Sequence, residues 1–156
     1  MNRVGIGHDT HRLEAGRKLI LGGILVEYPR GLAGHSDADI VLHALTDAIL
    51  GAAGLGDIGG VFGVDDDEYS GANGEVFIKG ALDLLAEHGW RVLNVAVQLV
   101  GNKPKVAPMR LEVEQALSSL IGAPVSVAAT TTDGLGFLGD SQGVAAVATA
   151  LIESRL

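Results

Sequence analysis

The chain has 156 residues, enough for one domain that buries its own hydrophobic core without disulfides or structural metals. It contains no cysteine, which excludes thiolate zinc sites, cysteine nucleophiles and disulfide staples and leaves His, Asp and Glu as the strong metal ligands. With 11 basic against 19 acidic residues the net charge is −8, so the surface should repel nucleic acid and anionic membranes, and a phosphorylated ligand would need metals and local groups to attract it.

The N-terminal "MNRVGIGHDTHRL" lacks the basic start and long apolar run of a signal peptide, and no stretch approaches the roughly 20 apolar residues of a membrane span, so a cytoplasmic protein is expected. "RVGIGH" and "KLILGGILVEY" read as short strands, the second folded into a hairpin at Gly22 and Gly23. From Ser36 the period changes. Ile40, Leu42, Leu45, Ile49 and Leu50 recur at helical spacing, with Ser36 predicted as the N-cap, Asp37 and Asp39 in the first turn and Gly54 near the stop. "GLGDIGGVFGVDDDEYSGANG" is too glycine-rich for regular structure and reads as a long functional loop. A second helix ending at Gly89, a strand "RVLNVAVQLVG", a third helix closed by Gly122 and a strand "PVSVAATTT" follow. The C-terminal "GVAAVATALIESRL" is ambiguous between helix and strand. Strands alternating with helices predict a two-layer α/β domain over residues 1–156, with no repeat and no second boundary. Aromatic residues are only 4%, so the core must be built from Ala, Val, Leu and Ile, a composition that suits burial between subunits.

Asp9 and His11, two residues apart in extended backbone, point to one face, and His8 to the other. His43 on the first helix is the third candidate ligand, and Asp39 and Asp47, one turn to either side, are candidates to hold its second ring nitrogen. Asp, His and His with an open fourth position suit catalytic zinc. Histidines beside strands are also ordinary surface or core residues. "HSDAD" has the look of a helix cap, yet capping leaves His35 over, and an imidazole at a helix N-terminus suits a ligand phosphate. "GNKPK" sets Lys103 and Lys105 around a proline turn, which is either a phosphate or base-edge site or a plain solvated turn. "TTTDGLG" ends a strand in three hydroxyls and sends Asp133 into a glycine loop, a suitable place for Mg²⁺ on a diphosphate. The chain has no GxxxxGK[ST] loop, no GxGxxG opening a helix and no GxSxG elbow. It is equipped to hold an anionic substrate rather than to attack it.

Taken in order, "DTH", "HSDAD", "LHAL", "LGAAGLGDIG", "GNKPK" and "ATTTDGLGF" resemble the 2-C-methyl-D-erythritol 2,4-cyclodiphosphate synthase family of the non-mevalonate isoprenoid pathway, over nearly the whole chain. The resemblance implies a phosphorus–oxygen lyase with a mixed four-stranded sheet, helices on one face, a small N-terminal hairpin and a C-terminal strand. It implies a homotrimer with active sites between subunits. Asp9, His11 and His43 correspond to the ligands of one Zn²⁺ per subunit, and Asp133 to an acid that helps hold Mg²⁺ or Mn²⁺ on the substrate diphosphate. His35 and Thr131 correspond to the catalytic positions that polarise and place phosphates. The substrate-binding positions implied are Asp9, His11, His35, Ser36, Asp57, Ile58, Gly59, Phe62 and Asp66 on the metal side. Gly101, Asn102, Lys103, Pro104, Lys105, Thr130, Thr131, Thr132, Asp133 and Phe137 form the cytidine side. The loop Asp57 to Asp66 would close over the methylerythritol.

In this family the substrate, 4-diphosphocytidyl-2-C-methyl-D-erythritol 2-phosphate, carries its own nucleophile, so positioning and electrostatics dominate. The chain departs from the usual family pattern at "FGVDD", at "GANG", at Asp133 in place of Glu and at Asp140 in place of Arg. The last reverses a charge near the expected trimer axis and should disfavour isoprenoid diphosphates there. A metal-dependent phosphohydrolase that releases inorganic phosphate, and a nucleotide-binding module without turnover, are the alternative readings.

Overall fold

The computed structural model describes residues 1–63, 71 and 73–155. Strand β1 (Asn2–Ala15) opens the chain, followed by the short strands β2 (Leu19–Leu21), β3 (Ile24–Val26) and β4 (Arg30–Leu32). Helix α1 (Ile40–Ala53), the short α2 (Ile58–Phe62), α3 (Glu75–Glu87), β5 (Trp90–Val100), α4 (Arg110–Ile121), β6 (Val125–Thr130), the short α5 (Gly136–Gly139) and β7 (Gly143–Ser154) complete it. A mixed sheet runs in the order β4-β1-β7-β5-β6, with β5 and β6 parallel and the other neighbours antiparallel, and β2 and β3 form a separate hairpin. The four long strands match the expected four-stranded sheet. The fifth, β4, adds three residues at the edge beside Leu13 to Ala15, a stretch too short to show a period in the sequence.

The ambiguous C-terminal segment is a central strand, held between β1 and β5. Rows of side chains cross the sheet on its covered face: Gly5, Ala150 and Val95 in one, Gly7, Ala148 and Val97 in the next. The small residues have a purpose. A Cβ on Gly5 would fall onto the Ala48 carbonyl oxygen, and one on Gly7 onto that of Ala44, so α1 lies directly on the backbone of β1. Its own side chains Leu42, Leu45, Ile49 and Leu50 are fully buried. No helix among the described residues is long and apolar enough to cross a membrane.

Helix α1 starts later than predicted. Its N-cap is Asp39, not Ser36, and the Asp39 carboxylate accepts from the Val41 and Leu42 amides at 3.1 Å. The same carboxylate accepts from Gly22 N at 2.9 Å and Gly23 N at 2.7 Å, the two left-handed glycines of the β2–β3 turn. One buried acid therefore ties the hairpin to the helix. Burial pushes the Asp39 carboxyl up to about 6, while the amides of Gly23, Gly22 and Leu42 pull the other way.

Candidate active site

Next along the covered face after Gly5 and Gly7 come Asp9 and His11, still within β1. The close approach of α1 at Gly7 brings His43, the residue before Ala44, over them. Asp9 Oδ2 lies 3.0 Å from His11 Nε2 and 3.1 Å from His43 Nδ1. All three side chains are half-buried, and their donor atoms lie within 4.8 Å of one another.

The hydrogen bonds around this cluster decide what it can hold. His11 Nδ1 donates to the Ala33 carbonyl, which can only accept, so in the neutral ring the Nε2 lone pair faces Asp9. A carboxylate oxygen and an imidazole lone pair do not face each other at 3.0 Å without a proton or a cation between them. The donor set therefore fits a divalent cation such as zinc, with a face open to a ligand. In the absence of one, protons fill the role. Burial would raise Asp9, but hydrogen bonds from His11 and His43 outweigh it and bring its carboxyl down to about 2. The hydrogen bond to Asp9 raises His11.

The group that holds His43's other nitrogen is Ser36, whose Oγ lies 3.2 Å from Nε2. The acids predicted for this task do other work. Asp39 caps the helix, and Asp47 accepts from the Ile58 amide at 2.9 Å, fixing the start of α2, with its carboxyl raised by burial. Asp57 caps α2 by accepting from Gly60 N at 2.8 Å. Phe62 stacks edge-on against Phe77 at 5.3 Å, and Phe77 against His43 at 5.5 Å, an aromatic wall of which the sequence reading named Phe62 but not Phe77, one of only three phenylalanines. Gly59 lies in the middle of α2. His35 is exposed in the loop before α1, and its carbonyl accepts from Gly71 N at 2.9 Å. Asp66 lies outside the described residues. His8 is exposed on the other face, as its parity predicted.

The second cluster sits at the same end of the sheet. Gly101, Asn102, Lys103, Pro104, Lys105, Thr130 and Thr131 line a cavity of about 250 Å³, together with Leu21, Val106, Ala107, Arg110 and Val144, none of which the sequence reading named. Gly101 N donates to the Thr130 carbonyl at 3.1 Å, which closes the turn onto β6, and Asn102 Nδ2 donates to Ser141 Oγ at 3.1 Å. Thr132 Oγ1 donates to the Leu135 carbonyl at 2.6 Å and Asp133 N to Thr131 Oγ1 at 3.2 Å, with Asp133 in the left-handed region at φ 55°. Asp133 and Phe137 are exposed. The cavity lining includes none of Asp9, His11 and His43. His11 pairs with Val144, itself part of this lining, and Phe137 lines a small pocket with Thr10, His11 and Arg12, whereas Thr130 at the end of β6 stands three strand spacings, about 14 Å, from β1.

Residues 2–153 match the model of the YgbB family. The chain belongs to that family. Among YgbB relatives, the bifunctional enzyme IspD/IspF of Clavibacter michiganensis is 56% identical over 97% of this chain, which spans 37% of that protein. The 2-C-methyl-D-erythritol 2,4-cyclodiphosphate synthase of Cutibacterium acnes is 49% identical over 99% of this chain and 92% of its own length. Among solved structures, the bifunctional IspDF of Campylobacter jejuni superposes with a TM-score of 0.94 at 33% identity, covering 99% of this chain and 42% of that one. A 2C-methyl-D-erythritol-2,4-cyclodiphosphate synthase in a CDP-bound form superposes at 0.89 and 39% identity, covering 97% of this chain and all of that one. The chain thus spans well under half of the bifunctional YgbB proteins and nearly all of the single-function ones.

Proposed function

We propose that this chain converts 4-diphosphocytidyl-2-C-methyl-D-erythritol 2-phosphate to 2-C-methyl-D-erythritol 2,4-cyclodiphosphate and CMP. An oxygen of the 2-phosphate attacks the β-phosphorus, the bond from that phosphorus to the α-phosphate oxygen breaks, and CMP leaves with that oxygen. The observation that carries this reading is the Asp9, His11, His43 donor set, its ligand atoms within 4.8 Å of one another, in a chain matched by the YgbB family from residue 2 to 153. Zinc bound there would neutralise phosphate charge and polarise a phosphate oxygen.

The chain's own residues supply the rest. His35 and Ser36, beside the N-terminus of α1, receive phosphate oxygens, and Asp57, Ile58, Gly59, Phe62 and Asp66 surround the methylerythritol. Lys103, Lys105 and the amides of the turn from Gly101 hold the cytidine and its phosphates. Thr130, Thr131, Thr132 and Phe137 place the diphosphate in line, and Asp133 would hold a second cation, Mg²⁺ or Mn²⁺, to neutralise phosphate charge. None of these groups acts as a nucleophile, so positioning and electrostatics carry the rate.

A homotrimer completes the site, the metal half from one subunit and the cytidine half from its neighbour. Supporting this, the sheet face opposite the helices carries Val4 and Ile6 at 71% and 70% exposure, a large apolar presentation for a face with no layer of its own. The test is phosphorus NMR of the protein reconstituted with Zn²⁺ and Mg²⁺ on this substrate, beside a His43→Ala variant. Paired cyclic-diphosphate resonances with CMP, absent from the variant, are expected. Inorganic phosphate would make it a hydrolase, and bound but unchanged substrate a binding module.

A further inference from the structure

We propose that Ser36 is the positioning residue that holds the His43 ring in either tautomer, and that its hydroxyl, reversing that hydrogen bond when Nδ1 takes up a cation, links occupation of the cation site to capture of an anionic ligand. The inference rests on the Asp9, His11, His43 cation site proposed above. Ser36 is 9% exposed, and its oxygen is fixed from two directions. Ala38 N donates to Oγ at 3.2 Å, from a residue held at φ 55° by the tight turn into α1. The Ser36 carbonyl accepts from Arg17 Nη2 at 3.3 Å, anchoring the backbone. The third contact, Oγ to His43 Nε2 at 3.2 Å, has no fixed direction.

That direction follows from the ring. With no cation, His43 Nδ1–H donates to Asp9 Oδ2 at 3.1 Å, Nε2 is left as an acceptor, and the Ser36 hydroxyl hydrogen is spent on it. When Nδ1 offers its lone pair to a cation instead, the neutral ring carries its hydrogen on Nε2 and donates it to Oγ. The serine oxygen then accepts from both Ala38 N and His43 Nε2. Both lone pairs are used, and the O–H is released as a donor that can turn to a ligand oxygen. Loading the site therefore reverses one hydrogen bond and frees a donor suited to a phosphate oxygen. The partner at Nε2 is Ser36 Oγ, while Asp39 caps α1 and Asp47 holds the Ile58 amide.

The test compares Ser36→Ala, Ser36→Thr and His43→Ala with the parent chain, with folding of the metal-free proteins checked by circular dichroism melts. In competition with a chromophoric chelator, Ser36→Ala should bind zinc about 10–100-fold more weakly and Ser36→Thr within about threefold of the parent, the range seen when a ligand's hydrogen-bond partner is lost or kept. Long-range proton–nitrogen NMR of the parent should show the His43 proton on Nδ1 without metal and on Nε2 with zinc. At saturating zinc, pyrophosphate should bind Ser36→Ala more weakly than the parent by calorimetry. Zinc affinity unchanged in Ser36→Ala but lost in His43→Ala would overturn the role of Ser36 and leave the cation site standing, whereas zinc binding unaffected by both would overturn both. If Ser36→Ala fails to fold, the parent's ring signature decides, and a proton that stays on Nδ1 after loading refutes the proposal.

Discussion

The chemistry of the cluster turns on three atoms that compete for the same small space. Asp9 Oδ2 faces two imidazole nitrogens, and whichever of proton or cation is present must lie between them. The hydrogen bond to Asp9 raises His11, so the proton that a cation must displace is held more tightly than on a free imidazole. Zinc affinity should accordingly weaken as pH drops from about 8 to about 6, more steeply than for a site of unperturbed histidines. For the metal-free protein the sign of the stability effect differs between partners. Asp9, depressed to about 2, contributes stability above its ordinary value of 3.8 that is lost as pH falls from there toward about 2. His11, raised, contributes stability below its ordinary 6.5 that is lost as pH rises through its folded value. Chelator competition across that pH range checks the first expectation. An affinity independent of pH would mean that the ion does not displace these protons.

At the scale of elements, the site exists because α1 sits in contact with β1. Gly5 and Gly7 leave no Cβ between strand and helix, and Ala44, Ala48 and Ala52 face them at every fourth position. Gly7→Ala should push α1 away at the turn that carries His43, destabilising the fold by about 3 kcal/mol, the upper end for overpacking, because the clash is with backbone and not with a movable side chain. Zinc affinity should fall with it, since His43 Nδ1 would leave the 3.1 Å contact with Asp9. A urea titration and a zinc titration of the same variant check the two effects together. Much of this was legible in the sequence. The period of Ile40 to Leu50 gave α1, and the i, i+2 spacing of Asp9 and His11 put both on one face. The N-cap was misplaced because Ser36 and Asp39 are equally good capping residues, and Asp39 wins through bonds to Gly22 and Gly23 that no local pattern encodes. The partner of His43 was misread for the same reason: helical spacing offers Asp39 and Asp47, whereas Ser36 reaches it by folding of the preceding turn. The run of polar residues from His8 to Arg12 hid the continuation of β1.

For the whole molecule, a protein of net charge −8 can attract a polyphosphate only where basic groups or bound cations are concentrated, and the candidate ligands Asp9, His11 and His43 and the Lys103 to Lys105 turn lie at one end of the sheet. About 14 Å of sheet, crossed by β7 and β5, separates β1, which carries Asp9 and His11, from Thr130 at the end of β6. If neighbouring subunits instead supply the two halves of each site, two variants that are each inactive can restore one another. His43→Ala removes the metal half and Thr131→Ala the cytidine half, and neither homotrimer should turn over substrate. When equal amounts are unfolded together and refolded, a site formed across an interface draws an intact metal half with one-in-two odds and an intact cytidine half from its neighbour with the same odds, so about a quarter of the parent activity should return. A site built within one chain would recover none, because no chain in the mixture carries both halves intact. Sedimentation of the mixture must show the same assembly as the parent, so that absent activity reports where the halves come from and not a failure to assemble. Recovery near a quarter would place the reaction between subunits, and an inactive mixture of the same assembly would return it to the single chain.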